Sequence, residues 1–295
     1  YYLLDISDKK KPKMEKLLDL AEWIDPAKMS PMKPIQYTAR DGLVIHGFLT
    51  IPNGSDGKNL PLIVHPHGGP SARDYWGWNK EVQFLANRGY AVFQPNFRGS
   101  TGYGTRLRTA GYREWGGKMQ DDITDGVQTL VEQGLADPTR VCIVGASYGG
   151  YAALAGGAFT PDLYKCVVAI APVSDIRPLL VDVKWDNGRK HWALDYWQEN
   201  IGDLDEEREK LDAISPARAA DKFTAPVLLI HGNDDTVVPI KQSEIMERAL
   251  EKAGKDVTFL ELEGEDHWMS DGDTRIDALR AMATFIDQHI GAEAE

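Results

Sequence analysis

The sequence has no apolar run approaching the ~20 residues that cross a bilayer, so no membrane role is expected. It is short of positive charge. Lys and Arg number 33 against 45 Asp and Glu, a formal net charge of −12. Without a basic stripe to neutralise phosphates, no nucleic-acid partner is expected. The one basic cluster (Lys9, Lys10, Lys11, Lys13 and Lys16) reads as a solvated loop. Cysteine is nearly absent: Cys142 and Cys166 are the only two, both in apolar strand-like runs. They read as reduced thiols acting as small apolar residues, with a bridge between them the less favoured alternative. No metal-ligand spacing is present. His65 and His67 share a strand face but lack a third ligand, and Asp271-Gly-Asp273 suits a helix cap better than a calcium loop. No cofactor is expected. No signal peptide is visible, and a cytoplasmic location is the working expectation. The chain opens Tyr1-Tyr2-Leu3-Leu4-Asp5 without an initiator methionine, which points to a chain cut from a longer one.

What is present can build a large core. Hydrophobic residues make up 42% of the chain, including 8 Trp, 11 Tyr and 8 Phe. Residues 1–34 are Lys-rich and punctuated by Pro12, Pro26, Pro31 and Pro34, and read as a lead-in segment or linker. Residues 35–295 read as one α/β domain. Ile35 to Ile51 is expected to form a hairpin with a type I′ turn at Asp41-Gly42. Strands are expected at 62–65, 90–94, 141–144, 166–171, 227–230 and 257–262. Helices are expected at 81–87, 122–133, 242–253 and 274–289. This alternation predicts a mostly parallel sheet with helices on both faces and ligand-binding loops along one edge. A helical excursion, 175–220, interrupts the order. It carries Trp185, His191, Trp192, Tyr196 and Trp197, which either line a pocket or fasten the excursion to the body.

The most informative stretch is Arg140 to Gly150. A β-branched run meets Gly145-Ala146-Ser147-Tyr148-Gly149, and an alanine-rich helical stretch follows. G-x-S-x-G between strand and helix is the nucleophile elbow of α/β-hydrolases, in which glycines remove clashes around an exposed, strained serine. If Ser147 is a nucleophile it needs a base, and the base needs an orienting acid. The chain order Ser, acid, His selects His267 in Glu263-Gly-Glu-Asp-His-Trp268. His231 precedes the acid, and His289 ends a helix. Asp235, closing the run Val227 to Asp235, is the chosen acid, with Asp234 as fallback. The oxyanion donors are expected from the Tyr148 N–H and from an N–H of Gly68 or Gly69 in His67-Gly68-Gly69-Pro70.

With these residues placed, the chain resembles the catalytic domain of the prolyl oligopeptidase family of serine peptidases. The acylaminoacyl-peptidase and dipeptidyl-peptidase branches are the most similar. The resemblance is carried in order by His67 to Pro70, Asn96-Phe-Arg-Gly-Ser-Thr-Gly-Tyr-Gly104, Gly145 to Tyr151, Ala171-Pro-Val-Ser-Asp175, His231-Gly-Asn-Asp-Asp235 and Asp266-His267, over about residues 35–290. It implies an α/β-hydrolase fold and a triad of Ser147, Asp235 and His267. It also implies an N-terminal β-propeller missing from this chain. Val237 stands where the family often has a substrate-binding Arg or Asn. Val173, Ile176 and Leu179 fall in the region of the first specificity pocket. These four imply a wide, apolar pocket.

The expected function is cleavage of short-peptide or acylaminoacyl amide bonds through an acyl-enzyme. A carboxylesterase on the same triad is the first alternative, since the triad chemistry serves esters equally well. A non-catalytic binding protein of this fold is the second. Homo-oligomerisation is left open.

Overall fold

The computed structural model describes residues 1–19, 21–187 and 192–291. Two short strands, β1 (Tyr2–Asp5) and β2 (Lys13–Lys16), pair as an antiparallel hairpin with every residue exposed. The main sheet begins at β3 (Met32–Thr38) and β4 (Val44–Thr50), then β5 (Leu60–Val64), β6 (Ala91–Asn96), β7 (Ala136–Ala146), β8 (Cys166–Ile170), β9 (Val227–Gly232) and β10 (Val257–Leu262). Its order is β10-β9-β8-β7-β5-β6-β4-β3. From β10 to β6 every pairing is parallel. β4 and β3 add an antiparallel edge beyond β6.

Period-two alternation in the central strands sorts side chains into two cores. Val141, Ile143, Val167, Ala169, Val227 and Leu229 face one layer. Cys142, Val144, Cys166, Val168, Leu228 and Ile230 face the other. Helices α2 (Thr105–Thr109), α3 (Lys118–Glu132), α4 (Tyr148–Phe159) and α8 (Lys241–Lys252) place buried residues in the first core. Helices α1 (Lys80–Ala86) and α9 (Gly272–Ile290) place theirs in the second. In α3 the buried Met119, Ile123, Val127 and Leu130 follow helical spacing. α4 is buried along nearly its whole length, which its run of Ala and Gly permits. This is the mostly parallel, helix-covered sheet of the α/β-hydrolase fold. Because the strands are parallel, the loops after β5, β6, β7, β8, β9 and β10 meet along one edge.

Two local expectations are corrected. The hairpin loop runs from Ala39 to Leu43, with Ala39 N–H donating to Leu43 O and Gly42 N–H to Ala39 O, both 2.8 Å. Gly42 takes a positive φ and Asp41 does not, so this is a longer loop closed by one glycine rather than a type I′ turn. Cys142 and Cys166 are disulfide-bonded rather than free. They are register partners on β7 and β8, with Cα atoms 4.8 Å apart, inside the range a bridge requires.

The excursion holds α5 (Ile176–Asn187), α6 (Trp192–Asn200) and α7 (Arg208–Ala213). Its ends are pinned. The Ser174 and Asp175 N–H groups donate to Gln242 Oε1, each 2.9 Å, and Ile176 N–H donates to Ser215 Oγ. Trp197 fastens it by packing edge-on against Trp115. Tyr196 reaches Ser71 Oγ at 3.2 Å. Trp185 and Trp192 are exposed, and His191 lies outside the described residues.

Candidate active site

Ser147 stands between the last residue of β7 and the first of α4, with φ +58°. Only a very tight turn forces a non-glycine residue there. The flanking glycines have identifiable neighbours. A Cβ on Gly145 would overlap the backbone of Gly149, and one on Gly149 would overlap the Pro66 carbonyl. The elbow therefore lies directly against the loop that follows β5. Gly68 completes the contact: a Cβ there would meet Ser147 Cβ at 3.5 Å.

That loop is held from behind. His67 is buried and stacks on Phe97, with ring centroids 4.5 Å apart. Its Nδ1 lies 2.7 Å from Gly68 O and its Nε2 2.8 Å from Ser100 Oγ. A carbonyl can only accept, so Nδ1 carries the proton and Nε2 accepts from Ser100. Burial lowers the His67 imidazole, in keeping with a neutral ring. The Gly68 carbonyl and the Gly69 N–H belong to one trans peptide and point in opposite directions. By fixing the carbonyl, His67 turns the Gly69 N–H away from its own ring. The Tyr148 N–H is in the first turn of α4, where no intrahelical acceptor exists.

Asp235 follows β9 with its side chain fully buried. Its Oδ1 accepts from the N–H groups of Val237 (2.8 Å) and Val238 (2.9 Å). Its Oδ2 lies 2.6 Å from His267 Nδ1 and 3.3 Å from His231 Nε2. Burial alone would raise the carboxyl, but hydrogen bonds from His231, His267, Val238 and Val237 outweigh it and hold it well below the ordinary carboxylate range. His231 is itself fixed, with Nε2 donating to Val238 O at 2.9 Å and Nδ1 accepting from Ser243 Oγ at 2.7 Å. Asp234 is exposed and serves the turn, its N–H donating to Glu265 O. His289 is on α9 against Phe285.

The His267 loop is braced by two acids. Glu265, almost fully buried, accepts from the N–H groups of Asp266 and Asp271 and from the Thr274 hydroxyl. Asp266 accepts from the Trp268 N–H at 2.8 Å and from Ser270. Asp271 caps α9 through the N–H groups of Asp273 and Thr274.

Ser147 and His267 both line a cavity of about 470 Å³, together with Gly68. A larger cavity, about 600 Å³, lies on the excursion among Arg177, Val181, Trp185 and Leu204, and neither Ser147 nor His267 reaches it. The candidate pocket residues fall elsewhere. Val173, Ile176 and Leu179 are buried in the first core, where the start of α5 packs onto the sheet. Val237 is 53% exposed, its backbone committed to Asp235. None of the four lines the Ser147 cavity.

Nothing in the sequence pattern singles out Ser100 and Ser243, whose partners lie in other elements, or Glu265, which braces its own loop. His65 pairs with Glu81 at 3.5 Å. Among the described residues no cluster of His, Cys, Asp and Glu could hold a metal ion. Among them also, no helix is long and apolar enough to cross a membrane.

Residues 76–293 match the prolyl oligopeptidase family. The dipeptidyl aminopeptidase BIII of Pseudoxanthomonas mexicana is 35% identical over 293 residues, covering 96% of this chain and 42% of that protein. The acylamino-acid-releasing enzyme of Rattus norvegicus is 28% identical over 242 residues, covering 81% and 33%. Among solved structures, a puromycin-hydrolyzing peptidase of Mycobacterium tuberculosis superposes with a TM-score of 0.88 at 30% identity, covering 99% of this chain and 44% of that one. The acylaminoacyl peptidase of Pyrococcus horikoshii gives 0.85 at 26% identity, covering 96% and 45%. The chain thus spans less than half the length of each of these relatives.

Proposed function

Because the chain belongs to the prolyl oligopeptidase family, we propose that it cleaves short-peptide or acylaminoacyl amide bonds through an acyl-enzyme on Ser147. The observation that carries this reading is the 2.6 Å contact between Asp235 Oδ2 and His267 Nδ1, on a histidine that shares a cavity with the elbow serine. With Nδ1–H given to Asp235, His267 Nε2 is the nitrogen free to take a proton. Ser147 Oγ attacks the carbonyl carbon and gives its proton to Nε2. The Asp235 carboxylate then stabilises the imidazolium. Negative charge develops on the carbonyl oxygen, and the N–H groups of Tyr148 and Gly69 are the supported donors, with the Gly68 N–H next to them. His267 returns the proton to the leaving nitrogen as the C–N bond breaks. Water, deprotonated by the same histidine, then releases the acyl group. A base must be neutral to act, so protonation of His267 in acid should abolish activity.

The test is turnover of aminoacyl and acylaminoacyl p-nitroanilides, set against p-nitrophenyl esters, by the wild type and Ser147→Ala. The expected loss in the variant is about 10⁶-fold in kcat. Turnover of esters alone would replace the peptidase by a carboxylesterase on the same residues. Full activity in Ser147→Ala would overturn the mechanism.

A further inference from the structure

The cavity that holds Ser147 and His267 has a wall supplied by α1, α9 and the His267 loop. Phe84, Leu279, Trp268 and Met269 give it apolar surface, and Lys80 and Arg275 give it positive charge. We propose that this wall is the leaving-group subsite and that it takes a short peptide with an apolar first side chain and a free terminal carboxylate. The inference rests on the Ser147 and His267 roles proposed above and adds the substrate class of their leaving side.

Direction follows from the chemistry. The leaving nitrogen must receive its proton from His267, so it departs beside that imidazole. Trp268 and Met269 follow His267 in the chain and line the same cavity. The side chains first assigned to substrate, Val173, Ile176 and Leu179, are packed into the core under the excursion and leave this wall to other residues.

Charge selects the second feature. The protein carries a net charge of −12, yet this wall presents two cations. Lys80 is exposed, and among the described residues no carboxylate forms an ion pair with it. Arg275 gives Nη1 to Met269 O at 3.1 Å, and the Asp271 carboxylate one turn earlier answers part of its charge. Glu81 is the one carboxylate lining the cavity, and it is engaged by His65 at 3.5 Å. Burial would lower the His65 imidazole, but the Glu81 carboxylate beside it outweighs this and raises it, and Lys80 acts on Glu81 less than His65 does. The cations are left to complement an anion at the far end of an apolar ligand. On the leaving side of a cleaved peptide, the anion always available is the terminal carboxylate.

The test uses p-nitrophenyl acetate, whose aryl leaving group would lie on this wall, and dipeptides that stand for leaving products and compete with it there. Phe-Gly should inhibit its hydrolysis competitively, about tenfold more tightly than Phe-Gly amide and more tightly than Gly-Gly. In Lys80→Met/Arg275→Met the acid-to-amide ratio should fall to about one. In Leu279→Ala the preference for Phe-Gly over Gly-Gly should shrink. Each ratio is internal to a variant, so a general loss of activity cannot mimic it. Serine-dependent hydrolysis with equal inhibition by acid and amide, or with none by either, overturns the subsite alone. Hydrolysis that is the same in Ser147→Ala overturns the mechanism and the subsite with it.

Discussion

Asp235 Oδ1 takes two backbone N–H bonds, and Oδ2 faces His267 and His231. An asparagine at 235 keeps the size of this group but loses the negative charge that faces His267 Nδ1. Asp235→Asn should therefore lower kcat by about 10⁴-fold with a small change in KM, measured on any substrate the wild type turns over. His67 acts one step further back, through the Gly68 carbonyl and the Ser100 hydroxyl. His67→Ala should lower kcat by about 10²–10³-fold, the cost of one misaligned oxyanion donor, with KM nearly constant. His67→Asn, which retains a side-chain N–H, should recover part of it. The sequence pattern brought His267 forward over His231 and His289 through chain order, and Asp235 through its place at a strand end. It could not show that Ser100 backs His67, because nothing local links residues 33 apart. Nor could it show His231 against Asp235, since only the turn after β9 folds a histidine back onto the acid four residues later.

At the scale of elements, the elbow depends on close approach. Gly149→Ala would set a methyl group into the Pro66 carbonyl, at the root of the Gly68 loop. It should destabilise the fold by about 1–3 kcal/mol and lower kcat as well, read from urea unfolding and steady-state rates. A second joint lies at the sheet's antiparallel edge. Arg98, buried, donates to Asp122 and also to Asp41 in the β3–β4 loop. Those hydrogen bonds lower the Asp41 carboxyl to about 2. Its folded value is below the ordinary value of about 3.9, so its stabilising effect is full above that range and is lost as pH falls toward 2. The stability gap between wild type and Asp41→Asn, measured by urea unfolding, should narrow between about pH 5 and pH 3. Alternating strands and helices were legible because apolar runs of β-branched residues and helical spacing are local signals. The β3–β4 loop, the short α2 and the bridge between β7 and β8 depend on register and long-range contact, which periodicity does not carry.

Across the whole molecule, the six parallel strands collect six loops on one edge, and the residues proposed to act lie on four of them. His67 to Gly69 follow β5, Ser147 and Tyr148 follow β7, Asp235 follows β9 and His267 follows β10. The loop after β8 instead opens the excursion, which reaches back to the β5 loop through Tyr196 and Ser71. We propose that residues 1–34 are a lead-in or linker to the hydrolase domain: among the described residues β1 and β2 pair only with each other, and the segment enters the main sheet at Met32 to Pro34, which pair with β4 as the start of β3. The cavity beside Ser147 is walled by α1 and α9, which are far apart in the chain and meet only because both pack on one face of the sheet. The central claim is that Ser147 is an activated nucleophile, and labelling with a fluorophosphonate followed by peptide mapping tests it most directly. The expected result is one adduct per chain, on Ser147, formed at least about 10²-fold more slowly in His267→Ala. An unlabelled protein, or an adduct on another residue with Ser147 untouched, would contradict it.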